Sequence, residues 1–381
     1  MLAHTLEFRP ERDAEVFAAV PAASAVFLLR GPEGEPYVSK TANLRRRLQR
    51  LLAPPEERSK RLNLRPRVRQ IQYTRTGSDF EAGLLLYRVL RATFPQAYRE
   101  RMKLRFASLV RLNLDNPYPR AYITRRVASL RGKSLYYGPF PTRAAAEKFL
   151  NDSLDQFKAR RCDFDLHPDP AFPGCIYSEM KMCLAPCFQG CTDEAYAAEV
   201  GRVQAWLDSG GQSLVRELEA QREEASAALA FEQASAIHAR IDKAHGIAGP
   251  LPEIVRRLDR LSGVMVQPAA EAEAVTLLRV EGGRLGEPIV FPVQARAEGK
   301  MHSMESRVTE CLAAHAAPRP GSALELMEEL ALLKRWYYRS SRVGEIFFAD
   351  DQGELPLRRL VRGISRVFQG EHEPAAPAEK P

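Results

Sequence analysis

The sequence predicts an α+β protein of two or three domains, and three observations carry that reading. Apolar residues come in short strand-like blocks at 24–30, 68–74 and 272–280, yet recur at helical spacing at 41–52, 79–94 and 192–245. At 381 residues, with 45% of them hydrophobic, the chain can bury more than one core of ordinary size. Beyond Leu251-Pro252 the texture changes from helix to strand.

Taken in order, SAVFLLR (24–30) breaks at Gly31-Pro32-Glu33-Gly34 and resumes at Pro36-Tyr37-Val38-Ser39, which predicts a β-hairpin. TANLRRRLQRLL (41–52) then places Leu44, Leu48, Leu51 and Leu52 on one face and its arginines largely elsewhere, an amphipathic helix with a basic outer side. A third strand at 68–74 leads into a helix that opens near Asp79 and is stopped by Pro95. YPRAYITRR and SLYYGPF, within 117–140, predict a second strand pair, followed by the helix TRAAAEKFLNDSLDQF. From 192 to about 245 the chain reads as helix, with only Gly201, Gly210 and Gly211 as breakers. AEAVTLLRV and IVFPV predict strands joined by a hairpin turn at Glu281-Gly282-Gly283, and a last helix lies near 324–341. The tail HEPAAPAEKP is too poor in apolar residues to fold. There is no internal repeat.

Net charge is +8 with a pI near 9.2, which points to a polyanionic partner. The distribution sharpens this: between Lys40 and Arg75 twelve basic residues face only Glu56 and Glu57, and a second basic stretch runs from Arg88 to Lys133. No run of about 18 apolar residues predicts a membrane span. His4, Glu7 and Arg9 near the start argue against a signal peptide, so the expected location is cytoplasmic. In that reducing compartment the gathering of five of six cysteines between Cys162 and Cys191 reads as metal ligation or redox chemistry before disulfides.

VFLLRGPEGEPYVSKTANLRRRL, SDFEAGLLLYRVL, YPRAYITRR and YYGPF resemble the GIY-YIG nuclease module and the segment that follows it in the UvrC family. Phosphodiester cleavage needs a nucleophilic water, a group to take its proton, and positive charge for the transition state. The resemblance implies a metal-dependent DNA endonuclease of nucleotide excision repair, making a single 3′-side incision beside a lesion in duplex DNA. It assigns catalytic roles to Tyr37, Lys40, Arg47 and Glu81, with Glu81 as ligand of Mg²⁺ or Mn²⁺. Read without the family, Asp79 and Glu81 at a helix start simply meet the macrodipole. Arg47 follows Lys40 by seven positions, about two helical turns, which would let both face one side. The chain departs from the family pattern at Phe27, Ser39 and Leu51, and lacks an asparagine in FPQAYRERM. Phe27 has no hydroxyl to bond a water.

Cys162, Cys175, Cys183 and Cys187 follow C-x12-C-x7-C-x3-C and resemble the cysteine segment of the same family. There the four thiolates hold a 4Fe-4S cluster; thiolate softness suits that cluster or, alternatively, zinc. Cys191 reads as a spare thiol and Cys311 as a small core residue. QSLVRELEAQREEASAALAFEQASAIHARIDKA resembles the UvrB-binding helical hairpin, which implies UvrB as partner and Phe231, Ala234, Ile237 and Ile241 as its contacts, beside the small Ala227 and Ala228. WYYRSSR (336–342) mixes aromatics with arginine, suited either to unpaired bases or to a core.

The expected organisation is a nuclease-like domain at 20–100, a strand and helix region with the cysteines at 101–191, a helical region at 192–247, an α+β region at 255–370 and a disordered tail at 371–381. The family's second, RNase H-like nuclease and its helix-hairpin-helix elements are not found. Two functions compete: the endonuclease, or an adaptor that binds DNA and UvrB with a decayed nuclease site.

Overall fold

The computed structural model describes residues 2–54, 62–128, 132–294 and 303–371. Helices and antiparallel sheets share the chain, an α+β architecture. The N-terminal part holds β1 (His4–Glu7), α1 (Asp13–Ala19), β2 (Ala25–Arg30), β3 (Tyr37–Thr41), α2 (Leu44–Leu52), β4 (Gln70–Arg75), α3 (Asp79–Thr93) and α4 (Tyr98–Met102). Its sheet has the order β1-β4-β2-β3, so β3 is an edge strand. The predicted hairpin is the antiparallel β2–β3 pair, with Leu29 opposite Tyr37 and Phe27 opposite Ser39. Asn43 caps α2 by accepting the Arg46 N–H, and Leu44, Leu48, Leu51 and Leu52 pack against Phe27, Leu29 and Ile71. β1 had no sequence signal, because its four residues are largely exposed and it is held by backbone pairing to β4.

The middle part holds β5 (Ser108–Asn113), β6 (Arg120–Thr124), β7 (Leu135–Phe140), α5 (Arg143–Leu154), α6 (Ile176–Glu179), α7 (Asp193–Asp208), α8 (Gln212–Ala227), α9 (Phe231–Ala248) and β8 (Arg256–Arg257). The two strands predicted as a pair, β6 and β7, are not neighbours: both flank β5 in the order β6-β5-β7-β8. SLVRLN hides its strand character behind Arg111, whose guanidinium is accommodated on the sheet by Ser134 at 2.9 Å and Tyr122 at 2.9 Å. The helical stretch resolves into three helices, with Trp206 of α7 donating to Ser153 of α5 at 3.0 Å inside a core shared with α8 and α9.

The C-terminal part holds β9 (Gly263–Pro268), β10 (Ala274–Glu281), β11 (Arg284–Leu285), β12 (Ile289–Pro292), α10 (Met304–Ala314), α11 (Ala323–Tyr337), β13 (Glu345–Phe348) and α12 (Leu357–Gln369). Gly282 and Gly283 take left-handed φ values of 56° and 77° in the predicted turn, which leads first into the short β11. β12 then returns to pair with β10. Cys311 lies half-buried against the core beneath this sheet.

The outer parts share a core. Phe80, Leu84, Tyr87 and Leu90 of α3 pack with Leu330, Leu333 and Trp336 of α11. At its centre the fully buried Glu328 accepts hydrogen bonds from Tyr87 at 2.8 Å and Tyr98 at 2.7 Å. A buried carboxyl needs such partners, and here they come from the N-terminal helices. Among the described residues no helix is long and apolar enough to cross a membrane. The tail predicted to be disordered lies, from residue 372 onward, outside the described residues.

Candidate functional site

Successive residues of a strand point to opposite faces, and that rule governs the N-terminal site. Tyr37 of β3 faces α2, where Arg47 donates from Nη2 to its hydroxyl at 3.0 Å. Phe27 lies beneath, fully buried, its ring centroid 6.0 Å from that of Tyr37. Its side chain is core packing. Val38 packs instead with the α3 core, and Lys40 on the same side of β3 pairs with Asp79 at the start of α3. The helical spacing that would unite Lys40 with Arg47 does not apply, because Lys40 lies on a strand and only Arg47 on a helix.

Asp79 also accepts from Arg339 at 2.8 Å, so it bridges two cations, and these hold its carboxyl below the usual range although burial opposes them. Sequence reasoning passed over Asp79 as the partner of Lys40; its signal was its place beside the helix cap Ser78.

Glu81 is bonded to Gly77 and Ser78 rather than to Tyr37, Lys40 or Arg47. It is the third residue of α3, its N–H donates to Ser78 Oγ at 3.1 Å, and its carboxylate accepts the Gly77 N–H at 2.8 Å. This is close to a capping box. Burial pushes its carboxyl above the usual range, and Glu271 adds to the effect against the Gly77 and Ser78 amides.

A cleft of about 690 Å³ runs along the edge strand, lined in part by Tyr37, Lys40, Arg67, Leu86, Leu90 and Arg101. Its acidic lining residues, Glu33 and Glu35, sit at the β2–β3 turn, and Glu35 is paired with Arg101 at 2.7 Å. A divalent ion on this face would need a carboxylate oxygen to ligate it. Glu81 is engaged by Gly77 and Asp79 by two cations. Among the described residues no three His, Cys, Asp or Glu side chains converge on a metal position. Mg²⁺ is held by one or two carboxylates completed by waters and substrate phosphates, so a single carboxylate such as Glu81, with one oxygen bonded to Gly77, remains compatible with it in kind.

The basic run also divides by role. Arg45 donates to the carbonyl of Val20 at 2.8 Å, and Arg65 to those of Leu52 and Pro10 at 2.8 and 2.7 Å while pairing with Asp13. Those cations hold the fold. Arg46 and Arg50 are exposed on α2 beside the partly buried Arg47, a strip suited to phosphates. Arg58, Lys60 and Arg61 lie outside the described residues.

The cysteines occupy the irregular chain between α5 and α7. Cys187 is buried and Cys162, Cys175 and Cys183 are half-buried. Burial pushes the Cys162 and Cys187 thiols up, and that of Cys183 to about 11, with further upward contributions from the neighbouring thiols of the set. Close beside them is Arg160, 2% exposed, whose Nε and Nη1 meet no partner and whose charge lowers the Cys162 thiol. A buried guanidinium so placed is suited to thiolates rather than thiols. The donor set thus fits a thiolate-bound centre in kind, although no three of the side chains converge on one position as they stand. Cys191 packs partly buried against the neighbouring helical core.

Of the predicted hairpin contacts, Ile237 and Ile241 are buried in the chain's own core, Ala234 is partly covered, and Phe231 is 66% exposed. Leu229, at φ 57° in the link between α8 and α9, is exposed beside it. An apolar tip therefore stays open while the seam behind it is closed internally.

Residues 108–206 match the UvrC/Cho excinuclease middle-domain family. The chain is similar to the UvrABC system protein C of Idiomarina loihiensis, 30% identical over 52% of this chain and 32% of that protein. It is 26% identical to the UvrABC system protein C of Dechloromonas aromatica over 74% of this chain and 46% of that protein. With the UvrABC system protein C of Gloeobacter violaceus the identity is 27%, over 81% of this chain and 49% of that protein. The chain thus spans between a third and a half of the length of these relatives. No solved structure matches.

Proposed function

We propose, on its similarity to UvrC proteins, that the chain is a DNA-binding adaptor of nucleotide excision repair that grips duplex phosphates and docks on UvrB without cutting the strand. The observation that carries this reading is the division of the four nuclease residues. Tyr37 and Arg47 pair on one face of β3, Lys40 is bound to Asp79 on the other, and Glu81 caps its own helix. Tyr37 holds the Arg47 guanidinium in place, and with Arg46 and Arg50 it presents a cationic strip to the phosphate backbone.

Cys162, Cys175, Cys183 and Cys187 are read as ligands of a 4Fe-4S cluster, with zinc as the alternative. The buried Arg160 supports a negatively charged centre there. Such a cluster would supply four bonds that tie the loop between α5 and α7 together. The exposed Phe231 and Leu229 offer the apolar contact for UvrB, with Ala234 at its margin.

A second reading, the endonuclease, is favoured by the retained Tyr37–Arg47 hydrogen bond. Both are tested by incubating the protein with UvrA, UvrB, ATP, Mg²⁺ and damaged duplex. The adaptor binds the UvrB–DNA complex and leaves the strand intact; a Mg²⁺-dependent 3′ incision would establish the endonuclease instead.

A further inference from the structure

Three cations meet where the end of α11, the link from α4 to β5 and the end of β6 come together. Lys334 lies in the last turn of α11, Arg105 in the link and Arg125 directly after β6. One core sets these segments side by side. Leu330 and Leu333 of α11 are buried in it, Leu104 and Phe106 pack against it on either side of Arg105 in sequence, and Val127 enters it two residues beyond Arg125. With those apolar neighbours turned inward, Arg105 and Arg125 are exposed and Lys334 is half-buried, so all three reach solvent.

The last turn of a helix favours a cation, which accounts for Lys334 on its own helix. It does not account for two arginines brought to it from other elements. Among the described residues none of the three joins an ion pair. Burial, and then the charges of Arg125 and Arg105, hold the Lys334 amine below its ordinary range, and no carboxylate opposes them. The acids of α11 are engaged towards its start: Glu325 by Arg91, Glu328 by Tyr87 and Tyr98, and Glu329 by the Leu285 N–H. Elsewhere on the surface the chain pairs its cations, as Asp79 does for Lys40 and Arg339 and Glu35 for Arg101. Like charges held together cost free energy, and an anion bound among them returns it. Lys103, Arg126 and Arg335, all exposed beside the three in sequence, widen the same field. Two guanidinium forks and an ammonium drawn from three segments suit successive phosphates of a backbone better than one small ion.

We propose that this junction is a second phosphate-binding face, on which Lys334, Arg105 and Arg125 take the backbone of bound DNA. The inference rests on the DNA-binding reading for its ligand and adds to the α2 strip a surface built by other parts of the chain.

Fluorescence anisotropy of a labelled DNA duplex with the full chain, across a salt series, tests it. Lys334→Met keeps the stem and removes the charge; Arg105→Gln combined with Arg125→Gln removes the exposed pair and disturbs no core. Each lost phosphate contact should lower the salt slope of log K by about 0.9 and weaken binding about eightfold near 0.1 M salt, so the double variant should show about twice the change of Lys334→Met. Lys334→Met should melt no lower than the wild type, because its amine is held against like charges; where it does melt lower, the double variant carries the test. Arg359→Gln, on the exposed side of α12 across the C-terminal sheet, removes an equal charge elsewhere and should leave the slope nearly unchanged. Unchanged affinity and slope in the folded double variant, or a loss no larger than that of Arg359→Gln, overturns the proposal. Arg47→Ala in the same series reports on the DNA-binding reading: an effect there with the junction variants inert strikes this inference alone, whereas a wild type without duplex affinity strikes both.

Discussion

Glu81→Gln separates a metal ligand from a helix cap, and the structure sets the size of each outcome. The glutamine carbonyl can still accept the Gly77 N–H that Glu81 holds at 2.8 Å, and the Ser78 cap is untouched. What is lost is the charged part of that bond and the attraction to the helix dipole, about 0.3–1 kcal/mol. Burial of the carboxylate acts in the opposite direction. It lifts the folded-state pKa above the ordinary 4.5, so the ionised form is disfavoured in the native protein. Its contribution to stability is therefore fully present below the unfolded pKa and is lost as pH rises through the raised folded pKa. Glutamine has no such titration. Thermal melts from about pH 4 to about pH 8 should show the variant gaining on the wild type as pH rises, and within about 1 kcal/mol of it at neutrality. Duplex affinity should be equal or slightly higher, since a negative charge leaves a basic face. In the incision assay with UvrA, UvrB, ATP and Mg²⁺, neither protein should cut. A wild type that incises, and a Glu81→Gln variant that melts normally but cuts about 100-fold more slowly, would refute the capping argument and make Glu81 a metal ligand.

Arg47→Ala should weaken duplex binding and reduce the salt slope of log K by about 1, whereas Tyr37→Phe, which removes only the bond that orients the guanidinium, should do less; equilibrium binding across a salt series reads both. Anaerobically purified protein should carry iron and broad visible absorbance, lost in Cys183→Ala and kept in Cys311→Ala; stoichiometric zinc without iron would exclude the cluster. Phe231→Ala should weaken UvrB association by about 2 kcal/mol with the melting temperature and bare-DNA affinity unchanged, because the ring is 66% exposed and holds no core together. Equal loss of both binding activities would make the hairpin tip structural.

The elements written in local chemistry were legible from residues alone. The β2–β3 hairpin, the four-leucine face of α2, the start of α3 after Ser78 and the Gly282-Gly283 turn depend on neighbours within a few positions, where periodicity, capping and φ preference act. The elements that were missed lack that local signature. β1 and β13 are four residues each, and β5 carries Arg111 on a sheet where partners distant in sequence satisfy it.

By itself, then, the sequence determined the α+β class, the basic character, the cysteine spacing and the kinship with UvrC proteins. Only tertiary structure decided where the reactive groups stand. The register of an edge strand turned Tyr37 and Lys40 to opposite faces, and a helix cap claimed Glu81. The packing of α3 on α11 brought Arg339 to Asp79, and the core they share set Lys334 beside Arg105 and Arg125, more than 200 residues away in sequence. Those placements follow from burying apolar faces against one another, a long-range free energy that no window of sequence contains.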